Sequence, residues 1–337
     1  MQSVLDHQLL VVTGKGGVGK TTIAAALGLL AAGSGRNTIV VEVGDESRLP
    51  QLFGVTDTQP GVETRLTERL SSITIDPDRA LLEWLQALGG RVSGRVLASS
   101  GTFQYFAAAA PGAKELVTMV KIWQLTRGPR KRGTRSGDYD LVVLDAPATG
   151  HALGMLGSPR TFGAIARIGP IAGQTRQLQE LLESPSRSAY VAVALATEMA
   201  VTEALELQDG LQARLGRGLA AVVVNALLPR RFSTEELREI TALEQAPQPR
   251  SAHDRAAHGA DGRAAAATLA GAAERRAVSL AAAHAARAVH DRARFQHNQL
   301  ARLRRRSFDV VGLPFVWGTG LDLAAVQGIA ARLARAV

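Results

Sequence analysis

Residues 14–21 read GKGGVGKT, which satisfies G-x-x-x-x-G-K-[ST] with an apolar run before it and an alanine-leucine run after it. Glycine at this density lets the backbone curl until successive N–H groups point inward. A helix opening directly behind the loop adds the positive end of its dipole, and the two together capture anions such as nucleotide phosphates. The loop is made of Gly14, Lys15, Gly16, Gly17, Val18 and Gly19. Beyond it, Lys20 would reach the β- and γ-phosphates, the Thr21 hydroxyl would ligate Mg²⁺ and Thr22 would meet the α-phosphate. ATP and Mg²⁺ are therefore the expected cofactors. Lys15 is redundant for this chemistry, although the 337 residues contain only five lysines and two of them sit here.

A second candidate stretch is LDAPATGHALGML, residues 144–156. Asp145 ends an apolar run, where a carboxylate can either cap the strand or hold Mg²⁺ through water. Such a loop needs a strand to launch it and a helix to close it. Runs at 8–14, 37–44, 139–147, 189–196, 219–227 and 308–316 are continuously apolar and rich in β-branched residues, which fits strands covered on both faces. Helical patterns alternate with them, as at 21–33 and 202–215. The expected fold is α/β, a doubly wound and mostly parallel sheet of the P-loop NTPase kind with helical insertions.

The insertions are expected at 60–135 and 230–306, as excursions from one domain spanning 1–337. In the second, Ser233 or Thr234 starts a capping signal, RARFQHNQLARLRR reads as a helix, and the low-complexity tract 247–271 is expected to be partly disordered. Between Leu228 and Arg306 fifteen arginines face eight acidic residues, so most of the net charge of +9 lies there. A solvated face accounts for that surplus; aromatics are only 4% and do not cluster in it, which argues against a nucleic-acid partner. The chain has no cysteine, which excludes disulfides, thiolate zinc sites and iron–sulfur clusters. No apolar run is long enough for an integral membrane segment, and the start lacks the order of a signal peptide, so the expected location is cytoplasmic. The last stretch, LDLAAVQGIAARLARAV, has an apolar stripe that could lie on a membrane surface or close the sheet.

A lysine directly after the first glycine resembles the deviant Walker A ATPases, which include septum-placement and plasmid-partition ATPases, nitrogenase iron protein, and the arsenite-pump and tail-anchored-protein-targeting ATPases. Asp145, Thr149, Gly150 and His151 match the D-x-x-x-T-G-H switch II of that last, ArsA-like branch. PGAKEL from Pro111, TEMAVTEALEL from Thr197, VVVNALLP from Val222 and GLPFV from Gly312 extend the resemblance over nearly the whole chain. It implies that Lys15 crosses a dimer interface to the partner's nucleotide, in a homodimer or in a heterodimer with a paralogue. It implies that His151 senses the γ-phosphate, and that Asn225 and Pro314 lie at the adenine base; ordinary loop roles compete for both. A protein or membrane client is the implied partner.

Two departures follow from the same comparison. The family's switch I reads S-T-D-P-A, its aspartate positioning the attacking water, whereas this chain has VEVGDESRL with Gly44 in that place and Asp45 one residue later. ATP hydrolysis is therefore expected to be slow and to depend on Asp45, beside Lys15 and Lys20. The absence of cysteine also removes the family's arsenite thiolate site and its CxxC zinc clasp, and the apolar face of residues 80–126 could either be offered to clients or, as is more common for such a face, pack against the chain's own domain.

Overall fold

The apolar runs pair into one sheet. The computed structural model describes residues 2–88, 112–127, 139–165, 170–246, 262–318 and 320–335. Its strands are β1 (Leu9–Gly14), β2 (Thr38–Val43), β3 (Thr64–Arg65), β4 (Leu70–Ile75), β5 (Leu141–Asp145), β6 (Ser188–Leu195), β7 (Ala221–Leu227) and β8 (Asp309–Pro314). They lie in the order β3-β4-β2-β5-β1-β6-β7-β8. The pairings from β4 through β7 are parallel, and β3 runs antiparallel to β4. The Asp309 N–H donates to the Ala220 carbonyl, so β8 begins beside the start of β7. The mostly parallel α/β sheet agrees with the sequence reading.

The helices are α1 (Gln2–Leu5), α2 (Lys20–Gly33), α3 (Leu49–Leu52), α4 (Pro77–Leu88), α5 (Ala113–Leu125), α6 (Thr149–Ile165), α7 (Pro170–Glu183), α8 (Glu198–Leu215), α9 (Thr234–Gln245), α10 (Gly262–Leu303) and α11 (Leu323–Arg335). All six residues of β1 are buried, as a central strand with helices on both faces requires. Alanine-rich α2 lies close on one face, burying Ile23 to Leu27 and Ala31. Gly28 is part of that approach: a Cβ there would sit 2.7 Å from Val40 Cγ2. On β6, the buried Tyr190 hydroxyl donates to the Leu182 carbonyl of α7 at 2.7 Å.

One expectation changes, and two alternatives are decided. The interval 60–135 is not purely helical, because it opens with β3 and β4. Ser71, Ser72 and Thr74 hide β4 in the sequence, yet Ser72 and Thr74 are buried with Leu70 on one side of the strand. The apolar stripe of α11 is spent on packing: Val326, Ile329, Ala330 and Leu333 are buried against α2 and its neighbours, so it closes the sheet and presents no apolar stripe to a membrane. In α5, Leu116, Val117, Met119, Val120, Ile122 and Trp123 are likewise buried. The rest of that apolar segment, 89–111, lies outside the described residues.

The chain divides into two compact units, 1–226 with 299–337, and 227–298. The second unit contains α9 and most of α10. Ser233 and Glu236 form a reciprocal capping box at the start of α9, as the sequence indicates, and Arg287 pairs with Glu244 at 2.7 Å. Of the tract expected to be partly disordered, 262–271 is helical and 247–261 lies outside the described residues.

Leu27 is fully buried between α2 and the sheet. Leu27→Ala is expected to cost about 2 to 5 kcal/mol and to lower the urea midpoint accordingly. An unchanged midpoint would show that α2 does not carry this packing.

Candidate nucleotide site

The loop at 14–19 is shaped by what lies behind it. A Cβ on Gly14 would come within 2.1 Å of the Val193 carbonyl oxygen on β6, so the chain can leave β1 here only as glycine. Gly19, at φ 95, opens α2, and a Cβ there would lie 2.6 Å from Asn225 Nδ2. Gly16 and Gly17 are exposed with open space around them, whereas Val18 and Thr22 are buried and anchor the loop from below. Lys20 Nζ reaches back over the loop to the Lys15 carbonyl at 3.1 Å. Burial lowers the Lys20 pKa and the Asp145 charge raises it, so the ammonium is held between dehydration and one carboxylate.

Asp145 arrives there because β5 lies next to β1, with Val12 and Asp145 as register partners. Thr21 Oγ1 donates to Asp145 Oδ2 at 2.5 Å, while Asp145 Oδ1 is shut off from solvent without a protein partner. Thr13 Oγ1 donates to the Pro147 carbonyl at 3.0 Å and ties the ends of the two strands together. A Thr hydroxyl, a carboxylate with one orphaned oxygen and a lysine therefore converge at the start of α2. This donor set fits Mg²⁺, which takes one or two protein oxygens and fills its octahedron with waters and phosphate oxygens. Thr149, Gly150 and His151 form the first turn of α6 just past Asp145, with His151 exposed.

Sequence reasoning missed Glu42. It is 5% exposed at the end of β2 and pairs in register with Asp145 on one side and Thr74 on the other. Its carboxylate accepts the backbone N–H groups of Arg48 and Leu49. Burial pushes its pKa up, while those two bonds pull it back. The signal was an acidic residue inside the apolar run TIVVEV, since a buried charge needs a specific reason to be there. Gly44 has no neighbour that a Cβ would meet, and Asp45 is exposed.

The remaining residues are spread along the same edge of the sheet. Asn225 Nδ2 donates to the Val18 carbonyl at 3.0 Å, and its Oδ1 accepts the Ala226 N–H at 2.9 Å. Ala226 at φ 58 is the one non-glycine among the described residues in the left-handed region, and that turn aims Asn225 at the loop. Pro314 ends β8 and leads into an exposed edge-to-face pair, Phe315 and Trp317, with ring centroids 4.7 Å apart. Lys15 points away from Lys20: its Nζ lies 2.6 Å from Glu203 Oε1 and also meets Met199 Sδ on α8.

Several known proteins are similar to this chain in sequence. The profile of the anion-transporting ATPase family, ArsA ATPase, matches residues 7–174. ATPase BagA of Mycobacterium tuberculosis is 32% identical over 238 residues, covering 68% of each chain. A putative arsenical pump-driving ATPase of Halobacterium salinarum is 27% identical over 72% of this chain and 39% of its own. ATPase GET3 of Paracoccidioides lutzii is 28% identical over 52% of this chain and 50% of its own.

Burial raises the Asp145 pKa from 3.8 to about 6, opposed by the Thr21 hydroxyl and by the charges of Lys20 and Arg48. The folded protein therefore holds this proton more tightly than the unfolded chain, and the stability it contributes below pH 4 is lost as the pH rises to about 6. Above that the ionised, dehydrated group should destabilise the nucleotide-free protein by on the order of 2 kcal/mol. Asp145→Asn should thus raise the urea midpoint at about pH 7.5, with the gain shrinking toward about pH 4.5. A gain independent of pH would contradict this assignment of the buried charge.

Proposed function

The chain belongs to the ArsA family of anion-transporting ATPases, which makes it an ATP-binding ATP hydrolase, and we propose that it works as a dimeric switch coupling nucleotide state to a protein or membrane client. The observation that carries this reading is Lys15. A loop that already has Lys20 gains nothing from a second cation held 2.6 Å from Glu203 on another helix, and the Lys15 side chain is 36% exposed. It suits a cation kept outside its own phosphate seat for delivery to a second copy.

In this reading the curled N–H groups of 14–19 and the N-terminus of α2 hold the phosphates, and Lys20 leaves the Lys15 carbonyl to meet the β- and γ-oxygens. Thr21 and, through water, Asp145 would hold Mg²⁺, which would offset charge on the transferring phosphoryl group when bound. Dimer closure brings the partner's signature lysine to the same oxygens and excludes water from the seat, where a fixed cation is worth most. Thr149, Gly150 and His151 then respond to the γ-phosphate through the first turn of α6. Asn225 and Pro314 flank the base. The working compartment we infer is the cytoplasm; no helix among the described residues is long and apolar enough to cross a membrane.

A second reading rests on switch I. Gly44 stands where the family's water-positioning aspartate belongs, and exposed Asp45 is the nearest substitute in sequence. This supports slow turnover, as in the nucleotide-binding half of a heterodimer whose paralogue carries the faster site.

Lys20→Ala should abolish Mg·ATP binding in calorimetry, and an unaltered affinity would contradict the phosphate seat. Lys15→Ala should leave binding to the single chain intact while removing ATP-dependent dimerisation in sedimentation together with turnover. Asp45→Asn should lower what turnover there is by about tenfold or more if that carboxylate orients the water.

A further inference from the structure

We propose that Glu42 is the positioning residue for switch I: its carboxylate pins the loop 44–48 by backbone N–H groups at the loop's far end and so sets how that loop closes over the phosphate seat. The inference rests on reading 44–48 as switch I.

Three observations carry it. First, Glu42 shares register with Asp145 on β5 and Thr74 on β4, so the three side chains lie on one face of the sheet at the edge where the loop leaves. Second, its contacts tie the loop's exit to its entry. Oε1 accepts from Arg48 N–H at 3.1 Å and Leu49 N–H at 3.0 Å, and Oε2 accepts from Leu49 N–H at 3.1 Å. Thr74, whose hydroxyl lies 2.7 Å from Ser47 Oγ, extends the same network. Third, the loop between these anchors is left open, with Asp45 and Glu46 exposed and nothing within 4 Å of a Cβ placed on Gly44. The loop is pinned at its ends and free at its tip, which is what closure over a ligand requires.

The choice of residue is otherwise costly. A carboxylate 5% exposed has to be compensated, and the one cation on this loop, Arg48, directs its guanidinium to Glu46 at 3.2 Å instead. Glu42 is therefore stabilised chiefly by the amides it holds. A neutral apolar residue, like its strand neighbours, would have served the sheet alone. The carboxylate also stands beside the one that faces the metal position, so movement of Arg48 and Leu49 is mechanically linked to the strand pair β2–β5 that carries Asp145.

The chain lacks cysteine, so Glu46→Cys can be labelled at one site with an environment-sensitive dye. Mg²⁺ with a non-hydrolysable ATP analogue should change the dye signal when Glu42 is present. In the Glu42→Ala background that change should vanish and kcat should fall by about tenfold or more, while affinity for the analogue stays within about twofold, the split expected when orientation and not binding is lost. Glu42→Gln keeps a carbonyl acceptor and the shape, and should show a smaller fall in kcat and a reduced dye response. Unaltered kcat and dye response in both variants, or in Glu42→Gln alone if Glu42→Ala does not fold, would overturn the proposal; so would equal losses of affinity and kcat. A dye that stays silent with Glu42 intact would overturn the switch I reading itself, and this inference with it.

Discussion

The hydrogen bond from Thr21 to Asp145, 2.5 Å long, depends on β5 lying beside β1, and the rest of the site is arranged around that adjacency. β1 delivers the glycine loop and β5 delivers the carboxylate. Their register, Val12 opposite Asp145, brings the two ends level so that the first turn of α2 can span them. Parallel strands put all their carboxyl ends on one edge, and ligands of open α/β sheets bind at that edge where the strand order reverses. Here β5, β2 and β4 lie on one side of β1 and β6, β7 and β8 on the other, and the chain crosses from one side to the other between β5 and β6.

Much of this was legible because the loop's chemistry leaves little freedom. Glycine at 14 is required by the Val193 carbonyl on β6 and glycine at 19 by Asn225 on β7; those contacts are tertiary, but the glycine spacing between a strand and a helix marks both positions in the sequence. The six long apolar runs became strands within a residue or two of their expected limits because their apolar, β-branched residues are continuous enough to be covered on both faces. The Thr-Gly-His turn follows directly from the end of β5. The family profile matches residues 7–174, a span that includes the glycine loop and this turn.

What the sequence withheld depends on tertiary contacts. β4 is spelled with serines and threonines, and only its pairing with β2 and the cover over Leu70 make it a strand. The stripe on α11 has the same pattern whether it faces lipid or α2. Lys15 and Glu203 are far apart in the chain, and only the juxtaposition of α8 with the loop brings them to 2.6 Å. Glu42 shows in the sequence only as an acidic residue in an apolar run, and only the fold brings the Arg48 and Leu49 N–H groups to its carboxylate.

The central claim is that Thr21 and Asp145 form a metal-ready pair in front of the phosphate seat. It is tested most directly by calorimetric titration of ATP into the protein with Mg²⁺ and then with a chelator, for the wild type and for Thr21→Val. The account predicts that Mg²⁺ tightens ATP binding by about tenfold or more in the wild type, and that Thr21→Val loses most of this increment while metal-free binding through Lys20 and the loop amides persists. Equal affinities with and without Mg²⁺, or an undiminished increment in Thr21→Val, would contradict it.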